Sequence, residues 1–279
     1  MLRFSKMHGL GNDFMVIDAI HQSFQPDAAL IRQWADRSHG VGFDQMLIIE
    51  APQSDQAAFR YRIFNADGEE VSQCGNGARC FARFVYEKGL TDLDVIPVET
   101  NAGLLKLHRL DDTRVCVNMG IPQFDPALIP LQTETQQPQY TLTYAGVDIR
   151  FNALSIGNPH IVIQVEDIHQ APVDELGPVL EAHQFFPART NVGFVQWLDR
   201  QQFKLRVFER GAGETRACGS GACAAHVVGC QLGLLHHQAC AILLGGELDI
   251  EWQGDGQPVM MTGDTALVFE GSIKYQQPI

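Results

Sequence analysis

Apolar and β-branched residues recur along most of the chain in short runs, either alternating with polar positions or following one another without a break. They predict strands at Leu2–Met7, Met15–Asp18, Met46–Glu50, Tyr61–Phe64, Val95–Glu99 and Val115–Val117. A second series is predicted at His160–Val165, Asn191–Trp197, Lys204–Phe208, Ala241–Leu244 and Leu248–Trp252. Helical spacing is rarer. The stretch from Pro26 sets Leu30, Ile31, Trp34 and Ala35 on one face, with Asp27 as its cap. Two more helices follow "CGNGARC" and "CGSGAC" and stop at Gly89 and Gly233. The second of these, "GACAAHVVGCQL", is small or apolar nearly all round, the mark of a helix buried inside its own domain.

The pattern repeats. "YRIFN" (61–65) matches "LRVFE" (205–209) at an offset of 144, and Cys74 and Cys218 share that offset. "GND" at Gly11 matches "GNP" at Gly157, and "GVGFDQ" from Gly40 resembles "NVGFVQ" from Asn191 at the larger offset of 151. Blocks in one order point to a duplicated unit. Between the copies Pro and Gln accumulate over Asn118–Tyr140, which reads as a linker or long surface loop. The expected architecture is α+β: two pseudo-symmetric domains, each a curved, mostly antiparallel sheet wrapped around a central helix, with the active site in the cleft between them. The first domain takes residues 1–118 plus 265–279, the last strand (Thr265–Gly271) returning to it, and the second takes residues 119–264.

Composition narrows the partners. A net charge of −13 disfavours nucleic acid, which needs clustered Lys and Arg. Charged residues interrupt the N-terminal segment before any signal peptide could form, and no run reaches membrane-spanning length, so a soluble cytoplasmic protein is expected. Seven cysteines in 279 residues suggest reduced thiols rather than a disulfide framework.

Two of those thiols fall where chemistry is expected. A cysteine at a helix N-terminus meets unpaired backbone N–H groups and the positive end of the helix dipole, which favour the thiolate and bring its pKa towards neutrality. The glycines beside each cysteine, Gly75 and Gly77, Gly219 and Gly221, would let a ligand approach the backbone. Two acid/base groups on opposite sides of a bound carbon acid suit inversion at that carbon: one removes a proton and the other delivers one. Helix N–H donors would stabilise the charge that builds on the carboxylate, so no electron-sink cofactor is required.

"GLGNDF", "GFDQ", "FNADG", "CGNGARC", "GNPH", "NVGF" and "ERGAGETRACGSGACA" together resemble the motif set of the diaminopimelate epimerase family, from Gly9 to about Ala225. The resemblance implies a cofactor-independent isomerase of lysine and peptidoglycan precursor biosynthesis that interconverts LL- and meso-diaminopimelate, and a homodimer. By it, Cys74 and Cys218 are the catalytic acid/bases, and His160 and Glu209 tune them. The reacting carboxylate would lie against Gly75, Asn76, Gly219 and Ser220, and substrate would be held by Asn12, Gln45, Asn65, Asn158, Asn191, Glu209 and Arg210. Amides and one arginine suit the distal carboxylate and ammonium of a diamino diacid. The chain departs from the pattern at Phe269, where relatives often carry Tyr, near the region associated with the family's dimer.

Three other readings remain at this level. A proline or hydroxyproline racemase shares the opposed-base plan but needs no second polar end. A zinc module could use Cys74, Cys80, Cys218 and Cys223, although their spacings are looser than the usual pairs. An amino-acid-binding protein would have no use for two symmetric thiols. Cys80, Cys116, Cys223, Cys230 and Cys240 are expected as small core hydrophobes.

Overall fold

In the computed structural model, which describes residues 1–71, 74–101 and 103–275, the chain divides into two units. One comprises Met1–Val117 with Gly263–Ile279, the other Asn118–Thr262.

In the first unit, Leu2–Gly9 pairs antiparallel with both Asn12–Asp18 and Ala266–Ile273. Asn12–Asp18 then runs parallel to Gln45–Glu50, which pairs antiparallel with Phe59–Asn65. The sheet continues through Val95–Thr100 and Gly103–Arg109 to Arg114–Asn118. The unbroken apolar runs of its middle strands reflect burial on both faces. One face is covered by helix α1 (Ala28–Ala35), whose Ile31 and Trp34 pack with Met15, Ile17, Met46 and Ile48. Asp27 caps this helix, accepting the Leu30 N–H at 3.0 Å. The other face holds helix α2 (Gly75–Glu87), which touches Leu2–Gly9, Asn12–Asp18, Gln45–Glu50 and Gly103–Arg109. It ends at Gly89, whose φ of 64° is the left-handed closure that glycine supplies without a steric cost.

The second unit repeats this plan. Val147–Ser155 and Pro159–Gln164 pair antiparallel, a helix crosses over, and Asn191–Trp197 returns parallel to Pro159–Gln164 before pairing antiparallel with Gln202–Glu209. The crossover helix is α3 (Val173–Glu181), and the central one is α4 (Gly219–Gln231), buried from Gly221 to Gly229. The copies agree to the residue around the cysteines. Ile63 faces Val71 as Val207 faces Thr215, and α2 and α4 begin and end at the same offset of 144.

The register corrects one sequence match. Phe14 faces Gln45, and His160 faces Asn191, so Gln45 corresponds to Asn191, not to Gln196. The likeness of "GVGFDQ" to "NVGFVQ" is therefore five residues out of step. "GVGFDQ" lies almost wholly in the loop before Gln45–Glu50, whereas "NVGFVQ" is the start of the strand Asn191–Trp197 itself, so the two segments share residues but not a place in the fold.

Other elements escaped the sequence pattern. The hairpin Tyr140–Tyr144 with Val147–Ser155 turns on Ala145 and Gly146, both at positive φ, and Ala is an unusual residue there. Helix α3 carries Pro178 inside it, normally a breaker. Strands Gly103–Arg109 and Val259–Asp264 were also unmarked. The Pro/Gln-rich stretch is not a free linker, because Ile129 and Leu131 are buried in the core of the second unit with Phe151, Leu180 and Phe194. Among the described residues, no helix is long and apolar enough to cross a membrane.

Candidate active site

The first unit gathers Asn12, Gln45, Asn65, Cys74, Gly75 and Asn76 at the N-terminal end of α2. Cys74 is its N-cap, in extended backbone, and Gly75 its first residue. The Cys74 Sγ lies 3.8 Å from Asn12 Oδ1, to which the Asn76 amide also donates at 3.2 Å. Asn12 Nδ2 donates to Asp44 Oδ2 at 3.1 Å. A carboxylate only accepts, so Asp44 fixes which way the Asn12 amide turns and leaves its oxygen facing the thiol. Asp44 is itself held: Arg37 donates to it at 2.7 Å and to both oxygens of Asp13, while Lys6 pairs with Asp13 at 2.6 Å. Burial opposes the Asp13 charge, but hydrogen bonds from Arg37 and Lys6 outweigh it and hold that carboxyl well below its usual range. Behind Asn76 sits the fully buried Arg79, donating to Asn76 Oδ1 at 2.9 Å. Gln45 Nε2 donates to Asn65 Oδ1 at 2.8 Å. Tyr61 is buried nearby, and its hydroxyl is pushed up by burial and by the charge of Cys74.

The second unit gathers Asn158, His160, Asn191, Glu209, Arg210, Cys218, Gly219 and Ser220 in the corresponding place. Cys218 caps α4, and Gly219 begins it. Ser220 Oγ is a hub, 3.0 Å from His160 Nε2, 3.3 Å from Asn158 Nδ2 and 3.7 Å from Cys218 Sγ. His160 Nε2 is also 3.0 Å from Asn158 Oδ1. Burial, helped by the charge of Arg210, pushes the His160 pKa down to about 3, so the imidazole is neutral at physiological pH. Thr215 donates its hydroxyl to Glu209. Asn191 is turned inward: its Nδ2 donates to the Pro159 carbonyl at 2.7 Å and its Oδ1 accepts the Arg210 backbone N–H at 3.0 Å. The exposed Arg210 guanidinium donates to the Ala188 carbonyl at 3.0 Å.

Two expectations need correction. The Cys218 thiol is raised well above its ordinary value, not lowered. Burial dominates, the Glu209 carboxylate adds to it, and the Gly221 N–H and Ser220 hydroxyl pull back only in part. Desolvation of the thiolate and a carboxylate within hydrogen-bonding reach outweigh the helix dipole here. The glycines at 77 and 221 also do not open the backbone to a ligand. A Cβ on Gly77 would meet Ile63 and Leu47 at 3.1 and 3.2 Å, and one on Gly221 would meet Val207 at 2.9 Å and Cys218 Sγ at 3.2 Å. They admit the sheet and the thiol.

The pseudo-symmetry pairs Asn12 with Asn158, Phe14 with His160, Gln45 with Asn191, Asn65 with Glu209 and Asn76 with Ser220. Both ionisable neighbours thus belong to the second copy. Sequence reasoning missed Asp44, Arg79, Thr215 and Glu181. Asp44, Arg79 and Thr215 fall inside "GFDQ", "CGNGARC" and "ERGAGETRACGSGACA" without being singled out there, whereas Glu181 lies in none of the motifs. Cys80 and Cys223 are fully buried in the cores of α2 and α4. Among the described residues, no group of three or more His, Cys, Asp or Glu is placed to hold a metal ion.

A family model described as Diaminopimelate epimerase matches residues 4–124 and 152–268. The chain is 54% identical over 274 residues to proteins named diaminopimelate epimerase from Ectopseudomonas mendocina (strain ymp) and from Pseudomonas fluorescens, covering 98% of this chain and 99% of each relative. In fold it is similar to a hydroxyproline epimerase from Agrobacterium vitis, at a TM-score of 0.69 and 15% identity, covering 97% of this chain and 91% of that one. A predicted epimerase from Pseudomonas aeruginosa is alike at a TM-score of 0.68 and 16% identity, covering 99% and 100%.

Proposed function

Since this chain belongs to the diaminopimelate epimerase family, we propose that it interconverts LL- and meso-diaminopimelate by proton removal and return at the α-carbon, with Cys74 and Cys218 as the two acid/bases. The observation that carries the reading is that both thiols cap equivalent helices, α2 and α4, at one repeat offset. One cysteine, as thiolate, takes the α-proton from one face. The electron pair passes into the carboxylate, where N–H groups at Gly75, Asn76, Gly219 and Ser220 stabilise it. The other cysteine, as thiol, gives its proton to the opposite face, and each sulfur ends in the state in which the other began. No cofactor is needed as an electron sink.

The second unit supplies what the raised Cys218 thiol lacks. To act as a base it must first lose its proton, and the Glu209 carboxylate is the acceptor beside it. Neutral His160 holds Ser220 and Asn158 in line without adding a charge that would trap the thiolate. Arg210, the one exposed cation of this cluster, takes the distal carboxylate, and the amides of Asn12, Gln45, Asn65 and Asn158 select the distal amino-acid head. Asn191 contributes by holding the Arg210 backbone.

The protein acts in the cytoplasm, in lysine and peptidoglycan precursor biosynthesis, as a homodimer. The outward Val268 and Phe269 of the Ala266–Ile273 strand, 54% and 47% exposed, offer an apolar face for the second copy. Sedimentation would report the dimer, and a Phe269→Glu variant should be monomeric.

The test of the activity is NMR of LL-diaminopimelate incubated with the protein in deuterated water. Product should carry deuterium at the inverted α-carbon from the first turnovers, while the distal centre keeps its proton. Product that retains the original proton at the inverted centre would exclude the two-base route. Inversion of proline or hydroxyproline in place of diaminopimelate would exclude the substrate.

A further inference from the structure

Glu181 is a carboxylate only 3% exposed at the last residue of α3, and the mechanism above does not use it. Its contacts converge on one neighbour of the candidate site. Oε1 accepts the backbone N–H of Gly211, the residue after Arg210, at 3.0 Å. Oε2 accepts from the Arg189 guanidinium at 2.6 Å, and the Glu181 carbonyl accepts the Thr190 N–H at 3.1 Å. Arg189 lies in the left-handed region at φ 59°, a conformation that non-glycine residues avoid, and the turn it closes presents the Ala188 carbonyl to the Arg210 guanidinium.

We propose that Glu181 is the positioning residue for Arg210, gripping the backbone after Arg210 with one oxygen and, through Arg189, the turn that aims its guanidinium with the other. The proposal rests on the reading of Arg210 as the group that takes the substrate's distal carboxylate. The grip is two-sided. Asn191 Oδ1 holds the N–H of Arg210 itself, Glu181 holds the next one, and Ala188 holds the side chain, so backbone and guanidinium are fixed from one buried carboxylate. An arginine prealigned in this way binds a carboxylate without paying rotamer entropy at the moment of binding. Glutamine at position 181 would lose the charge that holds Arg189 and leave only a neutral, weaker acceptor for the Gly211 N–H.

The experiment compares Glu181→Gln, Arg189→Gln and Arg210→Ala, singly and in pairs, by steady-state kinetics with diaminopimelate and by amide hydrogen exchange. Arg189→Gln alone leaves the buried Glu181 carboxylate without its partner, so the Glu181→Gln/Arg189→Gln pair, which removes both charges together, is the variant that keeps the test open if either single variant folds poorly. Each of the first two variants should raise KM about tenfold and leave kcat within about twofold, the pattern of lost ground-state binding. In the Arg210→Ala background the same changes should add nothing further, since a residue acting through Arg210 has nothing left to act on. Exchange at Gly211 and Thr190 should quicken in Glu181→Gln while the amides of α4 keep their protection. An unchanged KM, or a full extra KM penalty in the Arg210→Ala background, overturns the proposal, as does unchanged exchange at Gly211. A wild-type protein that fails to epimerise diaminopimelate sinks the functional reading instead, and the exchange at Gly211 then still decides whether Glu181 holds this turn.

Discussion

Around the two thiols, single side chains set the protonation states, and equivalent positions differ in what they can do. Glu209 stands where the first unit has Asn65, and His160 where it has Phe14. On the proposed role of Glu209 as acceptor of the Cys218 proton, Glu209→Gln should lower kcat by about 10²–10⁴-fold, the usual worth of a positioned acid/base group. Asn65→Asp, which leaves both thiols and Glu209 in place, should act mainly on KM. Comparable kcat losses in the two variants would count against this division of labour. Under the proposed two-base route each turnover uses both thiols, so replacing either cysteine by Ser should abolish inversion in both directions. At Cys74 the control is indirect. Asp44 turns the Asn12 oxygen towards the thiol, so Asp44→Asn should let that amide rotate and bring the pH profile of Cys74 alkylation to lower pH. Asp13→Asn removes a charge from the same cluster without releasing Asn12, and a shift of equal size there would show that charge alone is at work.

Elements place these side chains by close packing. Helix α3 crosses the strand that ends in Glu209, and it comes so near that a Cβ on Gly177 would lie 2.6 Å from the Phe208 ring. Alanine there would gain about 1 kcal/mol in helix propensity. The overpacking costs about 1–3 kcal/mol, so Gly177→Ala is expected to lower the melting temperature on balance. Because Phe208 adjoins Glu209, the variant should also lose activity beyond what its stability loss explains. A melting temperature at or above that of the wild type would refute the close approach. At α4 the constraint falls on the thiol itself, where a side chain on Gly221 would press on Cys218 Sγ.

For the whole molecule, acid should act unequally on the two units. His160 and His226, both in the second unit, are buried and neutral, their pKa values brought down by desolvation to about 3 and about 4 from an ordinary 6.5. Between 6.5 and those values the unfolded chain binds more protons than the folded one. Stability is therefore fully present above about pH 6.5 and falls as pH drops through the window. Asp13 in the first unit has a lowered pKa, so its contribution survives until pH falls below the ordinary carboxylate range. Thermal unfolding at pH 7.5, 5.5 and 4.5, with exchange resolved by unit, should show the second unit weakening first. His226→Gln should flatten part of that dependence.

Taken by itself, the sequence determined the strand-rich α+β class, the duplicated cysteine-capped helices and the family, because these rest on local periodicity, on Gly and Asx chemistry at helix ends, and on motifs read within a few residues. Tertiary structure alone decided the rest. The equivalence of Gln45 to Asn191 depends on the pairing of each with its own neighbouring strand, Gln45 with Phe14 and Asn191 with His160, between strands distant in sequence. The burial of Ile129 and Leu131 depends on what covers them, which the Pro/Gln-rich composition of their segment does not reveal. The direction of the Cys218 pKa was invisible for the same reason: a helix end can be read from neighbouring residues, but desolvation and the approach of Glu209 are set only when the fold closes around the thiol.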